Sequence, residues 1–224
     1  MSTILISGAG RGLGFELARQ YADDGWRVIG TVRDAAARSR LEKLGAEAHV
    51  ADVTRHDQLA ALAKRLDGTP LDVLFCNAGI TGKRGMALGS FDYESWEEVL
   101  RVNVLGAAAL AEALVEHVAA SERKVIAMMS SRLGSITESS GMTLPYATSK
   151  AALNMLVKGL AATLAAKGMV VVALSPGWVR TDMGGAGAPL SAEASVRGLR
   201  QVIAGLKSDD SGHFFSHDGS SIPW

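Results

Sequence analysis

The chain has 224 residues, 48% of them hydrophobic, and its 23 basic and 23 acidic side chains cancel in formal charge. This length can bury a sizeable core, and the charge balance argues against nucleic-acid or membrane-surface binding, which need a basic face. Cys76 is the only cysteine, so an intrachain disulfide is excluded; with no signal-like or membrane-spanning apolar run, a reducing, cytoplasmic setting is expected.

Residues 3–7, Thr-Ile-Leu-Ile-Ser, read as a short buried strand, followed at once by Gly8-Ala9-Gly10-Arg11-Gly12-Leu13-Gly14. An amphipathic helix over 15–23 comes next and ends at Gly25. Strand, glycine turn and helix give a glycine motif its meaning. The glycines let backbone turn tightly against a pyrophosphate, and the helix N-terminus offers unpaired N–H groups and the positive end of its dipole.

Short apolar runs then alternate with helical patterns, as in βαβ units. Strands are expected at 27–32, 46–51, 71–76, 125–129 and 170–174, with a short edge strand at 213–215. Helices are expected at 35–44, 57–66, 93–102, 104–119, 146–166 and 191–204. Right-handed crossovers make this a single doubly wound α/β domain spanning 1–224. Its parallel sheet has six or seven strands in the order 3-2-1-4-5-6-7, with helices on both faces. Three looser stretches, 81–90, 134–144 and 184–189, all follow strand C-termini, where open α/β sheets bind ligands. A small substrate-loop region is placed at about 183–205. The five histidines show no metal-ligand spacing, so no metal is expected.

Tyr146 and Lys150 stand four apart on an expected helix, on one face. An ammonium beside a phenol favours the phenolate and lowers the hydroxyl pKa from its usual value of about 10. Such a phenol exchanges a proton with a carbonyl or alcohol oxygen near neutral pH. The plain alternatives are a half-buried core tyrosine and a solvated helix lysine.

Ser7-Gly8-x-x-x-Gly12-x-Gly14, Cys76-Asn77-Ala78-Gly79, Asn103, Ser131, Tyr146-x-x-x-Lys150 and Pro176-Gly177 stand in the order found in short-chain dehydrogenases/reductases. The resemblance covers nearly the whole chain. Pro176-Gly177-Trp178-Val179-Arg180-Thr181-Asp182-Met183 and the final Pro223-Trp224 most resemble its carbonyl-reductase and C-factor-like branch.

The resemblance implies a Rossmann-fold oxidoreductase passing hydride between a nicotinamide cofactor and a carbonyl or secondary alcohol. Tyr146 is the expected general acid and base, and Lys150 stabilises it and holds the nicotinamide ribose. Ser131 holds the substrate oxygen, with Ser130 and Ser135 as competitors because the interval to Tyr146 is longer than the commonest one. Asn103 is expected to kink a helix and anchor a relay water, or to act as a helix cap between two segments. Asn77, Ala78 and Gly79 belong to the adenosine side and steady the sheet, although cysteine replaces the usual first asparagine. Cys76 itself reads as a small buried hydrophobe. Asp52 and Val53 are expected at the adenine, or else at a helix start capped by Thr54. Pro176, Gly177, Val179 and Thr181 are expected along the nicotinamide, with Trp178 among them read as a buried ring. Gly8, Gly10, Gly12, Leu13 and Gly14 complete the cofactor contacts.

Arg33 directly follows the second strand, with Arg11 a second basic group inside the glycine turn, which favours the 2′-phosphate of NADP(H). Asp34 is the competing signal for NAD(H), though before Ala35-Ala36-Ala37 it reads as a helix N-cap. The family also implies a homodimer or homotetramer through residues 104–119 and 146–166. There Ala151, Ala152, Ala161 and Ala162 would allow close helix approach, or pack on the chain's own sheet. Two other functions stay open: a dinucleotide-binding signalling protein of C-factor type, and epimerase or dehydratase chemistry on the same fold. The short region after residue 183 favours simple hydride transfer to a small-molecule substrate.

Overall fold

In a computed structural model covering residues 1–224, seven parallel strands form one sheet in the order β3-β2-β1-β4-β5-β6-β7. The strands are β1 (Thr3–Ile6), β2 (Arg27–Val32), β3 (Glu47–Val50), β4 (Val73–Cys76), β5 (Val125–Met129), β6 (Val170–Ser175) and β7 (Phe214–Ser216). The helices are α1 (Gly12–Asp23), α2 (Ala35–Glu42), α3 (His56–Arg65), α4 (Tyr93–Leu100), α5 (Gly106–Ala119), α6 (Leu144–Leu164) and α7 (Ala192–Gly205). The expected fold class and strand order are both present. Boundaries differ by a residue or two, most at α1, which begins inside the glycine turn.

Side chains alternate across each strand, so near-continuous apolar runs bury the sheet on both faces. Ile4, Ile6, Val125 and Ala127 join Leu17, Leu41, Val196 and Leu199 beneath α1, α2 and α7. Leu5, Ile126 and Met128 join Leu59, Leu110, Leu153 and Val157 beneath α3, α5 and α6. The two cores hold 23 and 24 buried residues, so neither face of the sheet is left to solvent. Cys76 lies in the second core, and burial pushes its thiol up to about 12, which fits its reading as a hydrophobe.

One local expectation changes, at 93–119, while the helix expected at 191–204 is present as α7. Residues 93–119 are one continuous helical run rather than two helices with a cap between them. Arg101–Leu105 form a π turn joining α4 to α5, with Asn103 buried inside it. The wider turn accommodates an inward-pointing polar side chain without ending the helix. At the substrate-loop region, most of 192–205 is a core helix, with Val196, Leu199 and Ile203 buried. The irregular part is confined to the segment before Ser191, which caps α7 by accepting from the Ala194 N–H at 3.1 Å.

Phe75 lies at the centre of β4 and is fully buried. Phe75→Ala is expected to lower the unfolding free energy by about 3–5 kcal/mol in urea titration. A loss below about 1 kcal/mol would contradict this placement of the core.

Candidate active site

The strand order reverses between β1 and β4, and the loops leaving their C-terminal ends part there to form a crevice. Ser7, at the end of β1, ties the two strands together. Its hydroxyl accepts from the Asn77 and Ala78 N–H groups, both at 3.0 Å, while Asn77 Nδ2 donates to the Ser7 and Gly8 carbonyls. The Asn77-Ala78 pair therefore braces the glycine turn as well as the sheet.

That turn is shaped to hold an anion. Gly8 and Gly12 take positive φ angles of 66° and 54°. A Cβ on Gly14 would come within 2.3 Å of the Gly8 carbonyl oxygen, so the close approach demands glycine. A Cβ on Gly12 would meet nothing nearer than Thr181 Cγ2 at 3.9 Å, so the turn opens toward the loop after β6. Arg11, at the N-cap of α1, makes no side-chain capping bond, which leaves the first N–H groups of the helix turned to the crevice. Leu13 is half-buried against the core, so only its backbone serves the turn. A pyrophosphate fits this donor set.

Asp34 accepts from the Ala37 N–H at 2.7 Å and caps α2, in line with its reading as a helix N-cap. Arg33 is exposed at the end of β2 and makes no ion pair, whereas Arg11 pairs with Asp182 at 3.5 Å. Arg40, missed in the sequence, donates to the Gly10 carbonyl at 3.2 Å. It lies one turn beyond Ala37, whose methyl packs on Gly10, and that i, i+3 relation was the available signal. Asp52 forms a side-chain turn onto the Thr54 N–H and hydroxyl, so Thr54 does not cap α3; Arg55 holds the N-cap position. Val53 is buried against Gly106 at the start of α5.

Ser131, Tyr146 and Lys150 converge at the C-terminal end of β5. Lys150 is buried, donates from Nζ to the Met129 carbonyl at 2.7 Å, and lies 5.5 Å from the Tyr146 ring centroid. Burial pushes its amine down to about 8. Tyr146 is half-buried, and desolvation of its phenol pushes it up to about 12, with the Ser131 hydroxyl working in the opposite direction. The expected lowering of the tyrosine pKa by Lys150 is therefore reversed in the protein alone. The lysine proton is directed at a carbonyl, and the phenol loses more hydration than the Ser131 hydroxyl restores.

The competing serines are otherwise engaged. Ser130 donates to Asn154 Oδ1 at 2.6 Å, and Ser135 faces the Trp224 carbonyl at 3.5 Å. Asn103 Oδ1 accepts from the Ile80 N–H at 2.8 Å, and its Nδ2 donates to Ile80 O and Ser149 Oγ, both at 2.9 Å. Gly79 separates Asn103 from Lys150: a Cβ there would sit 3.2 Å from Asn103 Oδ1 and 3.5 Å from Lys150 Nζ.

The loop after β6 closes the site. The Pro176 carbonyl accepts from Ser195 Oγ at 2.6 Å, and Gly177 has a φ of 79°. Val179 is buried and bridges to Leu190. Thr181 Oγ1 accepts from the Gly184 N–H at 3.1 Å. Trp178 is 61% exposed rather than buried, and its indole donates to the Gly184 carbonyl at 2.9 Å.

The short chain dehydrogenase family model matches residues 2–189, and the chain belongs to that family. It is 40% identical over 167 residues to C-signal of Myxococcus xanthus, covering 74% of this chain and all of that protein. NADPH-bound carbonyl reductase from chicken fatty liver superposes with a TM-score of 0.92 at 28% identity, covering 100% of this chain and 99% of that one. A short-chain dehydrogenase/reductase from Burkholderia multivorans with bound NADP gives 0.90 at 34% identity, over 100% and 99%.

A lysine whose folded pKa of about 8 lies below its unfolded value binds fewer protons than the unfolded chain between those two values. Stability attributable to Lys150 therefore rises with pH across that window and is flat below it. Urea titrations from pH 7 to about pH 10 are expected to show this rise in wild type relative to Lys150→Met. A pH-independent difference would contradict the buried, shifted amine.

Proposed function

We propose that the chain is an NADP(H)-dependent carbonyl reductase acting on neutral, apolar aldehydes and ketones, with NAD(H) the weaker cofactor. The observation carrying this reading is the convergence of Tyr146, Lys150 and Ser131 beside a glycine cradle fitted to a pyrophosphate. NADPH, when bound, supplies hydride to the carbonyl carbon. Tyr146, protonated at neutral pH, donates its proton to the substrate oxygen, which becomes the alcohol. Ser131 hydrogen-bonds the same oxygen as charge develops on it. The Lys150 ammonium stabilises the phenolate left behind, and holding the nicotinamide ribose falls to the same amine. Asn103, facing Lys150 across Gly79, is the place for a relay water. Thr181 and the Pro176–Val179 backbone line the nicotinamide end, Asp52, Val53 and Asn77 to Gly79 the adenosine end.

Charge supports the choice of cofactor and substrate. Arg33 is free for a 2′-phosphate, and the bound nucleotides of the chicken and Burkholderia proteins agree with that use. On the loops after β4, β5 and β6 every charged side chain is engaged. Lys83 pairs with Asp92, Arg132 with Glu138 and Asp182 with Arg11, while Arg84 and Arg180 donate to the carbonyls of Met183, Ala188 and Pro189. The same loops expose Leu88, Ile136, Met142, Trp178 and Met183. No spare cation remains there for a carboxylate or phosphate.

The 40% identity to a protein called C-signal favours a second reading, a nucleotide-binding signalling protein in which turnover is incidental. We infer association through α5 and α6 from the family resemblance, a reading supported by the exposure of Leu105 and Met155. Ala161 is taken up by the chain's own core. No helix is long and apolar enough to cross a membrane.

Tyr146→Phe is expected to lower carbonyl-dependent NADPH oxidation by about 10²–10⁴-fold while leaving NADPH binding intact by nicotinamide fluorescence. Turnover surviving in Tyr146→Phe would remove the tyrosine from the chemistry. Binding without turnover in wild type would favour the signalling reading. Arg33→Ala is expected to weaken NADPH about tenfold to a hundredfold, and NADH hardly at all. Equal loss for both nucleotides would show that Arg33 does not read the 2′-phosphate.

A further inference from the structure

Asn154 lies on α6 four residues beyond Lys150 and eight beyond Tyr146, hence on the same helix face. It is 3% exposed, surrounded by the buried apolar residues Leu153 and Val157 of its own helix. An amide in such a place is retained only with partners, and both of its ends have one. Its Oδ1 accepts from the Ser130 hydroxyl at 2.6 Å, and its Nδ2 donates to the Gly134 carbonyl at 3.1 Å.

These two partners bracket Ser131, one residue before it and three after it. Within the bracket the chain makes a single turn, with the Gly134 N–H donating to the Ser131 carbonyl at 2.8 Å and the Leu133 N–H to Ser131 Oγ at 3.2 Å. Gly134 rests directly on α6, where a Cβ would stand 2.7 Å from Lys150 Cβ. Lys150 Nζ ties the strand end at Met129 to α6, and beyond it the segment carrying Ser131 is held to the same helix on both sides by the Asn154 amide. We propose that Asn154 is a positioning residue, whose amide fixes Ser131 against Tyr146 and so sets the geometry in which both hydroxyls reach one substrate oxygen.

The inference rests on the carbonyl-reductase reading for its kinetic consequence, but its geometric content is separate. A small displacement of a group that holds the reacting oxygen costs up to about a hundredfold in rate. Removing either end of the bracket should therefore act on kcat and spare nucleotide binding, because the glycine turn lies across the sheet.

The test is a double-mutant cycle of Asn154→Ala with Ser131→Ala, read by kinetics and by NMR of tyrosines labelled with ¹³C at the ring Cζ. Tyr146 would be assigned from the Tyr146→Phe spectrum. Asn154→Ala is expected to lower kcat by about 10- to 100-fold with NADPH affinity unchanged. In the Ser131→Ala background it should lower kcat no further, since a positioning residue has nothing left to position. The Tyr146 resonance should move in Ser131→Ala, move in the same direction in Asn154→Ala, and move no more in the double variant. Ser130→Ala removes only the donor to Oδ1, and it should reproduce the kinetic and spectral changes in smaller measure should Asn154→Ala fail to fold. Additive losses in kcat, or an unmoved Tyr146 resonance, would overturn the proposal and leave Asn154 a core amide. Wild type that turns over no carbonyl would instead defeat the reductase reading, and the Tyr146 resonance would still decide the role of Asn154.

Discussion

The site depends on a single buried amine. Taking an ammonium out of water is costly unless something compensates it, and Lys150 is compensated by the Met129 carbonyl at the last residue of β5. The bond fixes the distance from α6 to the strand end, and with it where Tyr146 stands. It also places Gly134 against the helix backbone, where any larger residue would force the two apart. Burial holds the amine at about 8, so it is mostly the ammonium at pH 7 and loses its charge only as the pH rises past that value. A fully hydrated lysine would neither need the carbonyl nor respond to a change on the neighbouring phenol.

That dependence explains what could be read from the chain alone. The apolar strands, the glycine turn and Asp34 as a cap follow from local rules, because each is decided by residues within a few positions of it. Tyr146 and Lys150 were legible as a pair for the same reason. The direction of the tyrosine shift was not, because it turns on how much water the folded loops exclude, which no local spacing encodes. The π turn at Arg101–Leu105 escaped because the competition is between two helical geometries of similar propensity, settled by the reach of Asn103 to Ile80 and Ser149. Trp178 was misplaced since a large ring usually seeks the core, whereas here its indole N–H ties down a neighbouring loop at the surface. Arg40 and Asn154 act through contacts 30 and 20 residues away in sequence. Arg40 reaches a backbone carbonyl, and Asn154 a carbonyl and the Ser130 hydroxyl, partners that only the folded chain brings within reach.

The two ends of the crevice are built on different electrostatic terms. At the β2 end an unpaired arginine stands beside a helix N-terminus and a glycine turn, all of positive character. Around the loops after β4, β5 and β6, cations and anions are matched or turned onto carbonyls, and the exposed remainder is apolar. On the proposed function, a dinucleotide rich in negative charge and a neutral substrate would have separate places to bind. The membership of a large family fixes the first of these and says little about the second, because substrate is decided by loops that vary in length and composition.

Those loops are also held with unequal firmness. The segment around Ser131 is secured by buried bonds to Asn154 and Met129's neighbour strand, where breaking one strands a polar group away from water. The segment from Met183 to Leu190 is held by backbone bonds at its two ends, Gly185 N–H to Thr181 O and Arg180 N–H to Leu190 O, both at 2.8 Å, and by side chains reaching its carbonyls, among them Arg84, Arg180 and Trp178. The bonds from Arg84 and Trp178 are exposed, where water can replace them at little cost, and the accompanying Arg11–Asp182 pair is exposed on both sides. Anchoring by carbonyls also frees the side chains of this segment to be small, as Gly184 must be where its Cα approaches the Val179 carbonyl. One wall of the crevice is thus tied by buried side-chain bonds, and the other partly by exposed ones. A site that must admit a nucleotide and a substrate, yet hold an oxygen between two hydroxyls, requires both.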